Sequence, residues 1–388
     1  MLKWIFRAVI GLVAAAAAIG AFVFWVILPP FVDNDMNPLG GDTLVVSDQA
    51  KALHEGLQVA DLHADSLLWM RDPAQRHERG HLDLPRMQEG GIALQVFTAV
   101  TKSPSNLNYE TNTGGTDNVT LLAIGQRWPR KTWGSLFERA IYQAQRLHEL
   151  EEDAPQAFSV VRTSAQLDAA LDQGKVAGML GLEGLHPLEG ELSNLQGLWD
   201  AGYRVAGLQH FFDNELGASL HGLDRNKGLT DFGKQVIAEM NAMGMIIDVA
   251  HSSPGSVQDV LDMTSAPVII SHTGMFGHCE IVRNISDELM QGIAATGGLI
   301  GIGFWPDVTC AQGVRPIAQA IAYAVELVGV DHVALGSDFD GTVETPFDAA
   351  GMVQLTQGLL DEGLSEGDIA KIMGGNQIRF MRENLPST

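Results

Sequence analysis

Residues 231–272 read DFGKQVIAEMNAMGMIIDVAHSSPGSVQDVLDMTSAPVIISH, and this stretch contains two successive units of a helix followed by a strand. Asp231–Ala242 carries apolar residues at helical spacing, and Met245–Ala250 is a short apolar run with β-branched residues. Ser252–Pro254 places capping residues ahead of a proline that suits a first helical turn. The next apolar run is Pro267–Ser271. Strands that alternate with helices in this way predict a parallel sheet.

The same alternation extends over most of the chain. One of the helical stretches, Trp133–Glu151, is amphipathic and lies within a long insertion. Eight alternations suit a closed (β/α)8 barrel of the TIM type, and a doubly wound open sheet is the alternative. The eight apolar runs are Leu57–Leu62, Ala93–Val100, Val176–Leu182, Tyr203–Gln209, Met245–Ala250, Pro267–Ser271, Gly298–Phe304 and His332–Gly336.

Composition excludes several classes of protein. Of the 388 residues, 46% are hydrophobic and 18% are charged, which is typical of a folded chain. The formal net charge of −23 argues against a nucleic-acid partner, because phosphate backbones are bound by clustered lysines and arginines. The two cysteines rule out a disulfide-rich miniprotein and a zinc site of the CxxC type.

The N-terminal residues predict a membrane anchor. Ala8–Leu28 contains no charged residue and, as a helix, spans about 30 Å, which is enough for a bilayer core. Lys3 and Arg7 precede this stretch, while Asp33 and Asp35 follow it. The positive-inside rule then leaves the N-terminus in the cytoplasm and places the rest of the chain outside. We therefore expect a single-pass protein of the inner or plasma membrane with an extracytoplasmic (periplasmic) catalytic domain.

A cleaved secretory signal is the alternative, and it would leave a secreted protein. A signal would have a shorter apolar region followed by a cleavage site of small residues, whereas this region is followed by two prolines at 29 and 30. The chain is accordingly divided into an anchor at 1–32, a linker at 33–50 and one (β/α)8 domain at 51–388. That domain contains an insertion around 103–135.

Polar residues that can bind a metal follow most of the apolar runs. In a barrel, these strand ends converge on one face, which is the catalytic face. Histidines with carboxylates and without cysteine suit Zn²⁺ or a similar divalent ion. The candidates, in chain order, are His63, Asp65, Glu183, His210, His251, His272 and Asp338.

Four or more ligands around a central glutamate predict two metal ions about 3.5–4 Å apart, with a hydroxide held between them. A carboxylate at Asp338 would move one proton through both halves of amide hydrolysis. The imidazole of His210 would stabilise a developing oxyanion. An arginine such as Arg283 can bind a carboxylate through two parallel hydrogen bonds, which would select for a free C-terminus.

Several longer motifs carry a specific resemblance. They run in order from about residue 50 to the C-terminus. The chain resembles the membrane (renal-type) dipeptidase family, peptidase family M19 of the amidohydrolase superfamily. The motifs are DLHADSLLW (61–69), HLDLPRMQEGG (81–91), GLEGLHPLEG (181–190), GLQHFFDNELG (207–217), EMNAMGMIIDVAHSS (239–253), PVIISHTG (267–274), VRNISD (282–287), GSDFDG (336–341) and GGNQIRF (374–380).

The resemblance implies a role for each candidate. His63 and Asp65 would bind a first zinc ion, His251 and His272 a second, and Glu183 would bridge both. Asp338 would receive the proton of the bridging water and pass it to the leaving amine, and His210 would steady the oxyanion.

The resemblance also implies how the substrate is held and how the loops are joined. Arg283 would bind the terminal carboxylate of the substrate, with Asn284 beside it. Cys279 and Cys310 would form a disulfide, and homodimers are known in the family. The predicted function is therefore a zinc-dependent dipeptidase that hydrolyses L-Xaa-L-Xaa and also L-Xaa-D-Xaa dipeptides.

Other functions remain as alternatives. Fold and metal do not determine the substrate, so N-acyl-amino-acid deacylation or lactone hydrolysis on the same metal pair is the nearest one. The complete ligand set disfavours a membrane-anchored binding or scaffold protein. A sugar-phosphate isomerase barrel would need a glycine-rich phosphate loop after its last strands, whereas the eighth run ends in the acidic sequence SDFDG.

Three more polar residues lie near the predicted site. Asp340 is two residues from Asp338, and we expect it to hold a loop or to contact a residue of the metal centre. His186 and His221 fall in the loops after the third and fourth runs, where they would border the pocket.

Overall fold

The computed structural model describes residues 2–387, and within that range the chain forms nine β-strands in one parallel sheet. The eight predicted runs each overlap one strand. The strands are β1 (Val59–Ala64), β2 (Ile92–Val100), β3 (Phe158–Val160), β4 (Val176–Glu183), β5 (Tyr203–Gly207), β6 (Ile246–Asp248), β7 (Ile269–Thr273), β8 (Leu299–Ile302) and β9 (Val333–Leu335).

Helices connect and surround the strands. The described α-helices are α1 (Leu2–Phe22), α2 (Leu28–Met36), α3 (Asp48–His54), α4 (Leu84–Glu89), α5 (Asn118–Gly125), α6 (Leu136–Asp153), α7 (Ser164–Asp172), α8 (Asn194–Ala201), α9 (Asp231–Met243), α10 (Pro254–Met263), α11 (Asp287–Ala295), α12 (Pro306–Thr309), α13 (Val314–Val328), α14 (Val353–Asp361), α15 (Glu366–Ala370) and α16 (Asn376–Asn384).

The sheet closes into a barrel. Strand β1 pairs with β2 on one side and with β9 on the other, and β2 also pairs with β4 from Leu94–Ala177 to Val100–Glu183. The remaining neighbours follow in chain order from β4 to β9. The ring of eight strands therefore has no open edge. This confirms the (β/α)8 barrel and excludes the doubly wound sheet.

The ninth strand is an addition that the sequence did not predict. Strand β3 contains only three residues and pairs with the first three residues of β4, outside the ring. A segment this short carries no measurable alternation of apolar and polar residues. Its strand conformation comes from the hydrogen bonds that β4 offers, so its own sequence does not reveal it.

The N-terminal helix, Lys3–Met36, is long and apolar enough to cross a membrane by length and composition. A π-helical turn at Val23–Ile27 precedes Pro29 and Pro30. The wider turn changes the backbone hydrogen bonding just before the two residues that cannot donate, so the helix continues through them.

Residues 33–50 are more ordered than the linker predicted there. The carboxylate of Asp33 is buried and lies 3.1 Å from Arg71 Nε and 2.8 Å from Arg79 Nε. The side chain of Asn37 accepts a hydrogen bond from the backbone N–H of Thr342 at 3.0 Å. These contacts tie the end of the N-terminal helix to the loops that follow β1 and β9.

The insertion at 103–135 is held by one buried arginine. Arg139, in α6, is 1% exposed and forms an ion pair with Asp117 at 2.6 Å. The same guanidinium donates to the carbonyls of Thr101 and Thr132 and to the hydroxyl of Thr120. The insertion, including α5, is thus fastened to the barrel by a side chain that follows it in sequence.

We expect Arg139→Met to lower the free energy of unfolding by about 3–5 kcal/mol, because it leaves Asp117 and several carbonyls without their buried partner. Limited proteolysis should then cleave within 103–135. Lys131→Met is the matched control, since it removes an exposed ion pair with Glu138 and should change stability by less than about 1 kcal/mol. Equal protease resistance in the two variants would contradict this role of Arg139.

Candidate metal centre

Seven buried side chains meet at the carboxyl ends of the strands, and they are the seven that the sequence predicts. His63 lies within β1, Glu183 is the last residue of β4, and His272 lies within β7. The other four follow β1, β5, β6 and β9 in the loops of the same face. All seven are at least nine-tenths buried: His63, Asp65, Glu183, His210, His251, His272 and Asp338.

The carboxylate of Glu183 is at the centre of the group. Its Oε1 lies 3.1 Å from His251 Nε2, 3.4 Å from His272 Nε2 and 3.6 Å from His63 Nε2. Its Oε2 lies 3.4 Å from His210 Nε2. One carboxylate therefore faces four imidazole nitrogens, which is the position predicted for a bridging ligand.

Two acids complete the group on the side of His63. The Nε2 atom of His63 is 3.5 Å from Asp65 Oδ1 and 3.8 Å from Asp338 Oδ1. Three overlapping sets have their ligand atoms within 4.8 Å of one another. The sets are His63, Glu183 and His272; Glu183, His210 and His251; and His63, Asp65 and Asp338.

The donor set fits a divalent cation. His63 Nε2 is buried and has no hydrogen-bond partner among the described residues. The Nε2 atoms of His251 and His272 face each other at 2.9 Å. Nitrogen lone pairs and carboxylates gathered this closely, away from water, need a shared positive charge. Imidazole and carboxylate ligands without thiolate suit Zn²⁺ and similar ions.

Hydroxyl groups orient the candidate ligands. Ser271 Oγ lies between His63 Nδ1, at 3.1 Å, and His272 Nδ1, at 3.0 Å, so both rings present Nε2 to the centre. The hydroxyl of Thr98 donates to Asp65 Oδ1 at 2.6 Å. Partners of this kind fix the ring orientation of metal ligands. Ser271 is adjacent to His272 in the PVIISHTG motif, which was the only sequence signal for it.

Burial sets the protonation of most of the group. His63 is the exception, because the carboxylates of Asp65, Glu183 and Asp338 outweigh burial and raise its pKa to about 10. Burial raises the pKa of Asp338 to about 8, with the nearby His63 opposing the shift and Asp65 adding to it. Burial also raises the pKa of Glu183. It lowers the pKa of His210 to about 4 and moves the pKa of His251 and His272 in the same direction. These three histidines are therefore neutral near pH 7, and a neutral imidazole is the form that binds metals.

The backbone is strained at two of the seven residues. His251 and Asp338 both have φ values of about 60°, in the left-handed region that few residues other than glycine adopt. The Asp338 carboxylate also lies over Gly341, where a Cβ atom would be 2.0 Å from Oδ1. Strain of this kind persists only where the surrounding structure imposes it, and it is concentrated at functional sites.

Asp340 belongs to the support of the site. Its Oδ1 lies 2.7 Å from Arg71 Nη2, and its Oδ2 accepts a hydrogen bond from Ser66 at 2.5 Å. Although burial acts against it, the Arg71 guanidinium keeps the pKa of Asp340 below its usual value. Asp340 thus holds the loop that carries Asp338, as expected, and it is not part of the three ligand sets.

Arg283 lies beside the candidate ligands, whereas Asn284 does not. Arg283 is 1% exposed, donates to the carbonyl of His272 at 3.1 Å and lies over the Trp305 ring at 5.4 Å. It also lines the cavity beside the candidate metal ligands, which is called the main cavity below. Asn284 instead donates to the carbonyls of Cys279 and Val308, outside that cavity. The structure therefore does not bring Asn284 to the place predicted for a substrate contact.

His186 and His221 lie behind the site. The ring of His186 stacks on Phe212 with a centroid distance of 4.4 Å, and the ring of His221 stacks on Phe211 at 4.8 Å. Burial lowers the pKa of each to about 3, so both are neutral. Neither histidine lines the main cavity. His221 packs behind Phe211, which does line it, whereas Phe212, the partner of His186, does not.

A cavity of about 620 Å³ opens onto the candidate metal centre. Five aromatic residues line it, and none of them was predicted to: Phe24, Trp69, Tyr109, Phe211 and Trp305. The indole of Trp305 donates to the Tyr109 hydroxyl at 3.1 Å, and Tyr109 stacks on Phe211. Phe211 follows His210 in a quoted motif, but no pattern marks Tyr109, because it comes from the insertion.

The loops of strands β7 and β8 are joined covalently at the same face. Cys279 and Cys310 form a disulfide that closes a separation of 31 residues. Arg283 and Asn284 lie within the joined segment, so the disulfide restricts the loop that presents Arg283.

Comparison with known proteins identifies the family. Residues 47–386 match the family described as membrane dipeptidase (peptidase family M19). This chain belongs to that family. It is 29% identical over 345 residues to the dipeptidase aclJ of Aspergillus oryzae, and the alignment covers 83% of this chain and 77% of the relative. The chain is therefore a metallopeptidase that hydrolyses dipeptides.

Solved structures agree with this assignment. The dipeptidase AC of family M19 is 25% identical, with a TM-score of 0.72 over 86% of this chain and 99% of that one. A metallo peptidase from Rhodobacter sphaeroides, solved with a phosphinate mimic of the dipeptide L-Ala-D-Ala, is 24% identical. Its TM-score is 0.71 over 84% of this chain and 99% of that one, which supports the barrel fold.

We expect Glu183→Gln to reduce metal affinity by at least about 100-fold, because it removes the charged carboxylate that lies at the centre of the candidate ligands. Mass spectrometry of metal content after dialysis, and the rise in Tm on adding metal, would measure this loss. His186→Gln is the matched control. Like Glu183, His186 is a buried titratable residue near the end of β4, but it lies outside the ligand sets. Unchanged metal content in Glu183→Gln would disprove the central position of Glu183.

Proposed function

We propose that the chain is a dinuclear zinc dipeptidase that cleaves free L-Xaa-L-Xaa and L-Xaa-D-Xaa dipeptides. The observation that carries the proposal is the single carboxylate, Glu183, that faces four imidazole nitrogens within 3.6 Å. His63 and Asp65 would hold one ion, His251 and His272 the other, and Glu183 would contact both. When bound, the ions would polarise the scissile carbonyl and acidify the attacking water.

The protein's own groups would move the proton and stabilise the developing charge. The Asp338 carboxylate, whose Oδ1 lies 3.8 Å from His63 Nε2, would accept a proton from the attacking water and return it to the leaving amine. His210, kept neutral by burial, would donate its Nε2–H to the carbonyl oxygen as that oxygen becomes negative. The strained backbone at Asp338 holds the carboxylate in place before the substrate arrives.

Recognition of a small, free dipeptide would depend on Arg283. The guanidinium is buried beside His251 and His272, so it is close enough to the reacting groups to bind a carboxylate one residue beyond the scissile bond. Burial removes competing water and strengthens this ion pair. A longer peptide has no carboxylate at that position. The L-Ala-D-Ala mimic bound to the Rhodobacter sphaeroides neighbour is the reason to include D-residues at the second position.

The proposal predicts metal-dependent cleavage of L-Ala-L-Ala and L-Ala-D-Ala by the full-length enzyme, without cleavage of N-acetyl-L-Ala. Asp338→Asn should lower kcat by about 10²–10⁴ while two zinc ions per chain remain bound, because only proton transfer is lost. Amine release and metal analysis on the same samples would measure both quantities. Cleavage of N-acetyl-L-Ala alone would replace the dipeptidase with a deacylase.

We also propose that the N-terminal helix is retained as a membrane anchor with the barrel on the extracytoplasmic side. The buried contacts of Asp33 with Arg71 and Arg79 support retention, because cleavage before residue 33 would remove the helix that positions them. The disulfide between Cys279 and Cys310 supports an oxidising compartment.

We expect the protein to stay in the membrane fraction after alkaline carbonate extraction, with an intact mass that includes residues 1–32. Thiol labelling of intact cells should require prior reduction, since both cysteines are bonded outside the cytoplasm. A soluble form that lacks the helix would show that the segment is a signal sequence.

A further inference from the structure

The cavity at the metal centre has two chemically different ends. One end is lined by candidate metal ligands such as Glu183, together with Arg283 and Asp338. The opposite walls are apolar. Those walls come from two helices that are distant in sequence. Phe24, Leu28 and Val32 belong to the N-terminal helix, and Val119 and Leu122 belong to α5 of the insertion. The N-terminal helix therefore faces the same space as the catalytic residues.

The N-terminal helix is fastened in this position at both ends of the wall. The indole N–H of Trp25 donates to the carbonyl of Ile124, at the end of α5, at 3.1 Å. Eight residues later, Asp33 is buried against Arg71, which also pairs with Asp340 in the loop of Asp338. A polar contact to the insertion and a buried ion network to the catalytic loop thus fix the wall relative to the metal centre.

We propose that Phe24–Met36 is a substrate-binding wall, and that the enzyme prefers dipeptides with a large apolar side chain. This inference rests on the proposed dipeptidase activity and names its substrate class. The peptide and its carboxylate occupy the polar end, and the side chain lies against Leu28, Val32 and α5. Each apolar group transferred from water to such a wall improves binding, whereas L-Ala-L-Ala leaves the wall in contact with water.

The polar end and the apolar walls belong to one continuous cavity, which suits a dipeptide with an apolar side chain. The apolar walls and several of the candidate metal ligands line this continuous, partly open cavity of about 620 Å³, which is in the range that holds ligands much larger than L-Ala-L-Ala. At its rim, Leu121 is more than half exposed. Amphipathic dipeptides would therefore enter beside the helix that spans the membrane, with the apolar side chain facing the same helix throughout.

The test compares two double variants of the full-length enzyme in lipid nanodiscs. Leu28→Ala with Val32→Ala removes apolar side-chain surface from the wall. Ile27→Ala with Phe31→Ala is the control, because it changes the same helix at residues outside the cavity lining. The readout is the ratio of kcat/KM for L-Leu-L-Leu to kcat/KM for L-Ala-L-Ala. We expect a ratio of at least about 10 in the wild type, a roughly tenfold decrease in the wall variant, and the wild-type ratio in the control.

A general loss of stability would lower both substrates together and leave the ratio unchanged, so the ratio isolates the wall. A wild-type ratio near 1, or an equal ratio in the wall variant and the wild type, would overturn the inference while the dipeptidase activity stands. If neither dipeptide is cleaved by the zinc-loaded enzyme, the proposed function fails and the substrate class fails with it. Binding of a phosphinate L-Leu-L-Leu mimic, measured by calorimetry, should weaken roughly tenfold in the wall variant only.

Discussion

The burial of one carboxylate among four imidazoles is the constraint on which the rest of this structure depends. Glu183 ends β4, and its neighbours come from β1, from β7 and from the loops after β5 and β6. Only a closed ring brings these elements around one point, because an open sheet would separate its first and last strands. A charge at this depth is tolerated only when it is shared with a cation or a proton, so the barrel and the metal centre require each other.

The residues behind the ligands show how this arrangement is maintained. Ser271 turns two histidine rings towards the centre, and the left-handed backbone at His251 and Asp338 is imposed by the loops around them. Asp340 is paired with Arg71 rather than with a ligand. The energetic cost of the strain is met by buried hydrogen bonds and ion pairs around the reacting group.

The N-terminal helix and the insertion, although distant in sequence, line the same cavity. The helix is apolar in composition, as a membrane span must be, and the same apolarity suits a cavity wall. The insertion contributes α5 and Tyr109, and the buried Arg139 holds it over the barrel face. In the proposed arrangement, the helix that attaches the enzyme to a bilayer is also part of its pocket, which would couple the location of the enzyme to its choice of substrate.

The sequence by itself determined the barrel, the N-terminal apolar segment and the seven side chains of the candidate metal centre. Each of these depends on local order: the alternation of apolar runs with helical stretches, an uncharged stretch of sufficient length, and polar residues directly after strands. Parallel strands then bring those residues to one face without further information.

Only the tertiary structure decided the features that join distant parts of the chain. The short strand β3, the helix that continues through Pro29 and Pro30, the pairing of Asp33 with Arg71 and the position of Tyr109 all depend on partners far away in sequence. Asn284 is a further example. Its position in the VRNISD motif suggested a substrate contact, whereas in the structure its side chain donates to two backbone carbonyls. Local pattern specifies which elements form, whereas packing between elements specifies which side chains face the cavity.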